Sequence, residues 1–189
     1  VILSEFSLLN DECDTVEIHF MGGEPLIEFA LIKERSEWLW NTNTKYNLML
    51  FASTNGTLFN EDMKTWFYNN RERITLGLSF DGNNVMQNIN RSKSSSSVDI
   101  EFFAKTWPNQ SIKMTVSPQT ISSMSEGIIY LHNTGFNNIS VDLAMGDKVN
   151  WTSLTLLEYK EQLNKLVNYY LVNFDRNPCS ILNIDLNEI

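Results

Sequence analysis

The residues best suited to chemistry lie in short turns that follow predicted strands. A glycine pair leaves no side chain between the backbone and a ligand, so amide and carbonyl groups can approach it closely. A carboxylate beside such a pair can bind an ammonium group through a charge-assisted hydrogen bond. The turns read Met21-Gly22-Gly23-Glu24-Pro25, Thr54-Asn55-Gly56-Thr57-Leu58, Ser79-Phe80-Asp81-Gly82 and Thr115-Val116-Ser117-Pro118.

Each turn also has a purely structural interpretation. Glu24 is a favourable acid at a helix start, and Asn55-Gly56 is a common chain reversal that tolerates positive φ. Asp81 fits a helix cap, and Arg91 fits a solvated loop. Taken one at a time, the turns therefore leave structural and functional roles open.

The elements that must position these turns alternate between strands and helices. The β-rich runs predict strands over 15–20, 47–53, 74–80, 112–116 and 138–143, and the helical patterns cover 26–40, 60–69, 122–133 and 153–174. The last of these helices is amphipathic, and its pattern places seven residues near one apolar face: Leu154, Leu157, Leu163, Leu166, Val167, Tyr170 and Leu171. A short amphipathic stretch over 3–9 suggests the tail of a helix. The serine-rich segment 92–97 suggests a mobile excursion between the third strand and its helix. This alternation predicts an α/β fold with a parallel sheet, either a barrel or an open doubly wound sheet. In both, ligands bind at the carboxyl ends of the strands.

Composition narrows the function classes. The chain has 189 residues, 42% of them hydrophobic, which suits one domain, and a formal net charge of −9, which disfavours a nucleic-acid partner. No apolar run approaches the length that crosses a bilayer, and the start lacks the order of a signal peptide, so we expect no membrane partner and a cytoplasmic location. Cys13 and Cys179 have no metal-binding spacing. His19 is expected to line a strand face, and His132 to lie on the surface.

Together the turns resemble the GGEP, TNGTL and SxDG motifs of radical S-adenosylmethionine enzymes, in that family's order and at about its spacing. The resemblance extends through Met114 to Pro118, Gly135-Phe136 and Trp151, so it covers nearly the whole chain. It is closest to the peptide-maturase and anaerobic sulfatase-maturase branch, the SPASM type.

The resemblance implies roles for individual residues. Gly22 and Gly23 would face the methionine end of S-adenosylmethionine, and Glu24 would bind its ammonium group. Asn55 belongs to the second motif of the cofactor site. The resemblance puts Ser79 near the cofactor ribose or carboxylate. The resemblance places Asp81 at the barrel mouth. It implies that Arg91 pairs with a carboxylate of cofactor or substrate, so both residues belong to the cofactor-binding set.

The chain departs from the family in lacking CxxxCxxC, the motif that holds the four-iron cluster. The family carries those cysteines after its first barrel strand, upstream of GGEP, and the chain starts at Val1 rather than Met. We therefore expect residues 1–189 to be the central part of one radical S-adenosylmethionine core domain, a partial (β/α) TIM-like barrel with its first strand missing. The isolated chain should be inactive and hold no cofactor tightly, with no catalytic or metal-binding residue of its own.

In this interpretation the full-length protein uses S-adenosylmethionine, a 4Fe-4S cluster and an external electron donor. It generates a 5′-deoxyadenosyl radical to modify a peptide or protein side chain. The truncated barrel would expose strand edges and apolar surface, which predicts self-association or a modest stability. One alternative is a degenerate, cluster-free barrel that binds a peptide or partner. A more distant one is a hydrolase, or a glycosidase that uses Glu24 and Asp81 as paired carboxylates.

Overall fold

A computed structural model describes residues 14–42 and 44–182 of the chain. Five strands alternate with helices, in the order that the sequence predicts. The strands are β1 (Thr15–Phe20), β2 (Asn47–Thr54), β3 (Ile74–Leu78), β4 (Ile112–Val116) and β5 (Ile139–Leu143). The helices are α1 (Phe29–Trp40), α2 (Glu61–Asn69), α3 (Asn84–Asn90), α4 (Ile100–Thr106), α5 (Met124–Thr134) and α6 (Ser153–Val172).

The strands form two small sheets in which all pairs are parallel. β1, β2 and β3 pair in chain order, and β4 pairs with β5. A single parallel bridge between Ser79 and Lys113 joins the two sheets, and the Phe80 amide donates to the Lys113 carbonyl over 2.9 Å. The structure confirms the α/β class with parallel strands. Consecutive strands are neighbours in both sheets, so the described strands show no reversal of strand order.

One face of these strands is apolar and covered, and the other is polar. Alternate residues point to opposite faces of a strand. Leu50, Leu76 and Met114 are buried on the covered face and belong to the core that the helices complete. We call the opposite face the polar face; at least partly exposed there are Glu17, His19, Ser53, Thr75, Ser79, Lys113, Thr115, Ser140 and Asp142.

The bounds of β1 and β4 are the predicted ones, whereas the segment after β3 differs. Two helices that the sequence does not predict flank the serine-rich segment 92–97, with α3 before it and α4 after it, and the segment itself contains a 3-10 turn at Ser95–Ser97. The side chain of Asn83 caps α3, and that of Asp99 caps α4. Both helices have seven residues, too few to show a clear helical period in the sequence.

Helix α6 buries only part of its predicted apolar face. Leu166 and Tyr170 are buried, but Leu154, Leu157 and Leu171 are 72%, 64% and 73% exposed. The predicted apolar face over 154–171, which also included Leu163 and Val167, is therefore wrong in part. A polar contact fixes the rotation: the buried Gln162 side chain accepts from the Ser125 amide at 3.1 Å and the Ser125 hydroxyl at 2.6 Å.

His132 is buried, with 1% of its surface exposed, so the prediction that it lies on the surface is wrong. Its Nδ1 lies 3.0 Å from the Phe136 carbonyl oxygen and its Nε2 lies 2.9 Å from the Tyr170 hydroxyl. A carbonyl only accepts, so Nδ1 carries the proton and Nε2 accepts from Tyr170. Burial lowers the pKa of His132, since the charged imidazolium is poorly solvated there.

The predicted helix tail over 3–9 and Cys13 lie outside the described residues. Over the part of the chain that the structure describes, no helix combines the length and apolar character that spanning a bilayer requires.

The buried His132 predicts a pH-dependent stability. Below pH 6.5, the ordinary pKa of histidine, the imidazole of residue 132 is protonated in the unfolded chain but stays neutral in the folded chain. The free energy of unfolding should therefore fall as the pH is lowered below about 6.5, by up to about 1.4 kcal/mol per pH unit. Urea unfolding across this range should show the fall in the wild type and in His19→Gln, whose ring is exposed. The fall in unfolding free energy should be largely absent in His132→Gln. An equal dependence of stability on pH in that variant would show that His132 is not its cause.

Candidate functional site

The candidate site lies where β1, β2 and β3 end, and its most open part is the glycine turn after β1. Met21, Gly22 and Gly23 are exposed, and Met21 has 82% of its surface free. A Cβ added at either glycine would meet no atom within 4 Å, and neither residue has positive φ. The turn's backbone conformation thus does not require glycine here. The missing side chains instead leave the backbone accessible to a ligand.

Glu24 ties the glycine turn to the end of β2. Its Oε2 accepts from the Asn55 amide over 2.8 Å, and its Oε1 accepts from the Thr54 hydroxyl over 2.7 Å and from the Leu26 amide over 3.2 Å. Three of about four acceptor positions on the carboxylate are occupied. The bond to Leu26 caps the 3-10 turn at Pro25–Glu28, so the helix-start role is present.

The turn after β2 is fixed by its own side chains. The Asn55 Oδ1 accepts from the Thr57 amide at 2.9 Å and the Thr57 hydroxyl at 2.7 Å. Gly56 has φ of 75°, and a Cβ there would lie 2.8 Å from Leu78 Cδ1. Glycine is therefore required at 56 by both backbone conformation and packing, and the Asn55 amide is held toward Glu24.

Ser79 continues the site from β2 onto β3. Its amide donates to the Thr54 carbonyl over 2.9 Å, which places it beside the same strand end that Glu24 binds. The side chain is partly exposed on the polar face, and its hydroxyl makes no hydrogen bond with a described residue. The hydroxyl is thus free to bind a ligand.

Asp81 and Arg91 contact each other. The Asp81 carboxylate, 1% exposed, accepts from Arg91 Nε at 2.9 Å through Oδ2 and from Arg91 NH2 at 2.9 Å through Oδ1. Oδ1 also accepts from the Thr115 amide over 2.8 Å, which ties the turn to β4. Asp81 is not a helix cap, because Asn83 caps α3, and Arg91 is not a solvated loop residue. Since both oxygens of Asp81 are engaged, Asp81 and Glu24 do not form a free pair of carboxylates for glycosidase chemistry.

Two residues of the site were missed from sequence. Thr54 supplies the hydroxyl that binds Glu24 and accepts from the Gly56 amide over 3.0 Å. Buried Gln87 accepts from the Asp81 amide over 2.8 Å through its side chain. Thr54 lies within the second turn motif, so a search for hydroxyls next to Asn55 would have found it. Gln87 has no comparable signal, because its partner depends on how α3 folds back.

Metal ligands are lacking in the described ranges. No group of three or more His, Cys, Asp or Glu residues within 14–42 and 44–182 is arranged to hold a metal ion. Cys179 is fully buried, and burial raises the pKa of its thiol, so the thiolate form that binds metals is disfavoured. The residues present therefore do not fit a four-iron cluster.

Comparison with known proteins supports the fold. No family model matches the chain. An uncharacterized protein of Methanocaldococcus jannaschii is 27% identical over 175 residues, which cover 86% of this chain and 60% of that protein. The anaerobic sulfatase-maturating radical SAM enzyme anSMEcpe with bound AdoMet matches with a TM-score of 0.70 and 20% identity over 92% of this chain. Its complex with AdoMet and the Cp18Cys peptide matches over 90% of this chain, with a TM-score of 0.69 and 20% identity.

These likenesses define a class of fold. The described residues adopt an α/β arrangement similar to the radical SAM fold. The chain spans about 52% of the length of the matched enzyme and 60% of the curated relative.

The contacts of Glu24 predict a measurable loss of stability on substitution. In Glu24→Gln one oxygen becomes an amide donor that faces an N–H or a hydroxyl, which should lower the free energy of unfolding by about 1 to 2 kcal/mol. Thr54→Val should cost a similar amount. The control is Glu28→Gln, an exposed neighbour, which should change stability by less than about 0.5 kcal/mol. Urea denaturation measures all three, and equal stabilities for Glu24→Gln and Glu28→Gln would contradict the contacts.

The pair of Asp81 and Arg91 predicts a graded series. Arg91→Ala leaves a buried carboxylate without its partner and should cost about 3 kcal/mol of unfolding free energy. Arg91→Lys keeps the charge but loses the two-pronged geometry, so it should cost less. Arg35→Ala, at an exposed arginine, should cost less than about 0.5 kcal/mol. Thermal and urea unfolding test the order; a mild effect of Arg91→Ala would show that the pair does not hold β3 against β4.

Proposed function

We propose that residues 1–189 are the central part of the core domain of a radical S-adenosylmethionine enzyme, and that the full-length protein is a maturase. It would generate a 5′-deoxyadenosyl radical and use it to modify a peptide or protein side chain. The observation that carries the proposal is the grouping of an open glycine pair, Glu24, Asn55 and Ser79 at the carboxyl ends of neighbouring parallel strands in a fold similar to that of radical SAM enzymes.

The proposed architecture is a partial (β/α) barrel. Consecutive strands are neighbours from β1 to β5, and the bridge at Ser79 and Lys113 joins the two sheets in chain order. A doubly wound sheet would reverse its strand order at a switch point. Among the described strands β1 pairs with β2, and we place the preceding strand of the full-length barrel beside the other edge of β1.

The open residues of the site suit S-adenosylmethionine. The backbone of Gly22 and Gly23 can approach the methionine end of the cofactor, and the remaining acceptor position of Glu24 suits its ammonium group. Ser79 offers a free hydroxyl for the ribose or carboxylate. The Asn55 side chain is bound to Thr57, so its contribution would come through the shape of the turn.

Asp81 and Arg91 would support the cofactor site rather than touch the cofactor. Each is the other's main partner, and together they fix the end of β3 against β4. We therefore propose them as positioning residues.

The 4Fe-4S cluster of the proposal has to be held outside the described residues, since these offer no suitable ligand set. In the full-length protein we place its ligands in a CxxxCxxC motif upstream of Val1. An external electron donor would reduce the cluster, which supplies the electron for cleavage of S-adenosylmethionine.

The peptide partner is supported by the solved structures. Complexes of anSMEcpe with the Cp18Cys and Kp18Cys peptides both share this fold, with TM-scores of 0.69 and 0.68. We propose a peptide or protein substrate for this protein as well. A cytoplasmic location and self-association of the isolated chain belong to the same proposal.

A cluster-free binding barrel is the second candidate. The hydrogen bonds of Glu24 and of the pair of Asp81 and Arg91 favour this candidate. These bonds stabilise the fold, so the three residues would be needed even in a protein without catalytic activity. In this case the barrel would bind a peptide or partner without S-adenosylmethionine cleavage.

Reductive cleavage of S-adenosylmethionine tests the proposal. The full-length protein, purified and reconstituted anaerobically with iron and sulfide, should form 5′-deoxyadenosine and methionine when dithionite and S-adenosylmethionine are added. Ser79→Ala should raise the cofactor concentration for half-maximal rate about fivefold, the worth of one hydrogen bond. Ser140→Ala is the matched control, since Ser140 is also a partly exposed serine on the polar face. A protein that binds no cluster and forms no 5′-deoxyadenosine would favour the binding barrel.

A further inference from the structure

A cavity of about 460 Å³ lies on the polar face, separate from the groove at the glycine turn. Its lining includes residues from β1, β2, β3 and β4, so it spans both small sheets. The residues that matter here are Glu17, His19, Phe51, Thr75, Gln110 and Lys113.

The cavity lies toward the starts of the strands. Thr75 is the second residue of β3, and Gln110 precedes β4. At roughly 3.3 Å of rise per strand residue, Thr75 lies on the order of 13 Å along β3 from Ser79. Lys113, in contrast, is the bridge partner of Ser79. His19 joins the two regions, because it also lines the groove of about 550 Å³ that contains Gly22 and Glu24. A ligand in the cavity would thus extend from the starts of the strands to the edge of the candidate cofactor site, which it would reach at Lys113 and His19.

Three polar side chains of this cavity, those of Lys113, Thr75 and Gln110, can donate a hydrogen bond to a ligand. The exposed Lys113 ammonium has no ion pair with a described residue, although the chain carries 23 acidic residues. The Thr75 hydroxyl and the Gln110 side-chain amide also make no hydrogen bond within the described ranges. The Glu17 carboxylate contacts His19 Nε2 and makes no ion pair with Lys113. A cation with two uncommitted donors beside it is a suitable setting for a carboxylate.

The other walls of the cavity are apolar. The Phe51 ring lies over Gly77, where an added Cβ would come within 2.8 Å of Phe51 Cζ. His19 packs against the same ring, with 4.9 Å between the ring centroids. Gly77 therefore lets Phe51 lie flat across the polar face, next to Met49. The cavity combines a site for an anion with a flat surface for an aliphatic or aromatic group, which is typical of ligand pockets.

We propose that this cavity binds a carboxylate of the peptide substrate through Lys113, with Gln110 and Thr75 as further donors and Phe51 beneath the adjoining apolar group. That the ligand is the substrate rests on the proposed function. The carboxylate chemistry itself rests only on the geometry of the polar face.

The test uses the 189-residue chain and two probes that differ in one group. N-acetyl-L-phenylalanine carries a carboxylate and an aromatic ring, and N-acetyl-L-phenylalaninamide carries the ring alone. NMR titration should show the acid binding about tenfold more tightly than the amide, the worth of one charge-assisted hydrogen bond. Lys113→Met should abolish the difference and Lys113→Arg should retain it. Lys160→Met, at an exposed lysine of α6, should leave it unchanged.

Equal binding of acid and amide would overturn the proposal, as would an unchanged preference in Lys113→Met or its loss in Lys160→Met. Displacement of the acid by S-adenosylmethionine in a Lys113-dependent manner would assign the site to the cofactor carboxylate and overturn a substrate role. Neither probe needs iron or a reductant. A negative titration therefore refutes this site alone, and absent 5′-deoxyadenosine formation refutes the radical enzyme alone.

Discussion

The carboxylate of Glu24 is the contact on which the arrangement of the candidate site depends. It holds the Thr54 hydroxyl, the Asn55 amide and the Leu26 amide together, and so fixes the glycine turn against the end of β2. The Ser79 amide in turn donates to the Thr54 carbonyl, which brings the end of β3 into the same group. Gly22 and Gly23 project freely from this fixed base. A turn that must stay open for a ligand needs such support, because it has no packing of its own.

The carboxylate of Asp81 fixes the end of β3 in the same way as Glu24 fixes the end of β2. Asp81 binds Arg91 with both oxygens and also accepts from the Thr115 amide, so it joins β3 to β4 where the two small sheets meet at a single bridge. The charged residues of the site are thus mainly engaged in positioning. The groups left open to a ligand are the glycine backbone, the Ser79 hydroxyl and the remaining acceptor position of Glu24.

Much of the fold is readable from local sequence, since β1 and β4 have the predicted bounds and the turns follow the strands as expected. The errors occur where distant polar contacts decide. The rotation of α6 depends on Gln162 reaching Ser125, and the burial of His132 depends on Tyr170, 38 residues away. Neither contact leaves a periodic signal. In the site, residue types and order predict the location, but not that Arg91 would bind Asp81 instead of a ligand.

The central claim is that the turns after β1, β2 and β3 form the binding site for S-adenosylmethionine in the full-length protein. The most direct measurement is a crystal structure of the anaerobically reconstituted full-length protein with S-adenosylmethionine. The account predicts the methionine end of the cofactor within hydrogen-bonding distance of the Gly22 and Gly23 backbone, with Ser79 in contact and the pair of Asp81 and Arg91 intact. Cofactor bound elsewhere, or a protein that takes up neither cluster nor cofactor, would contradict it.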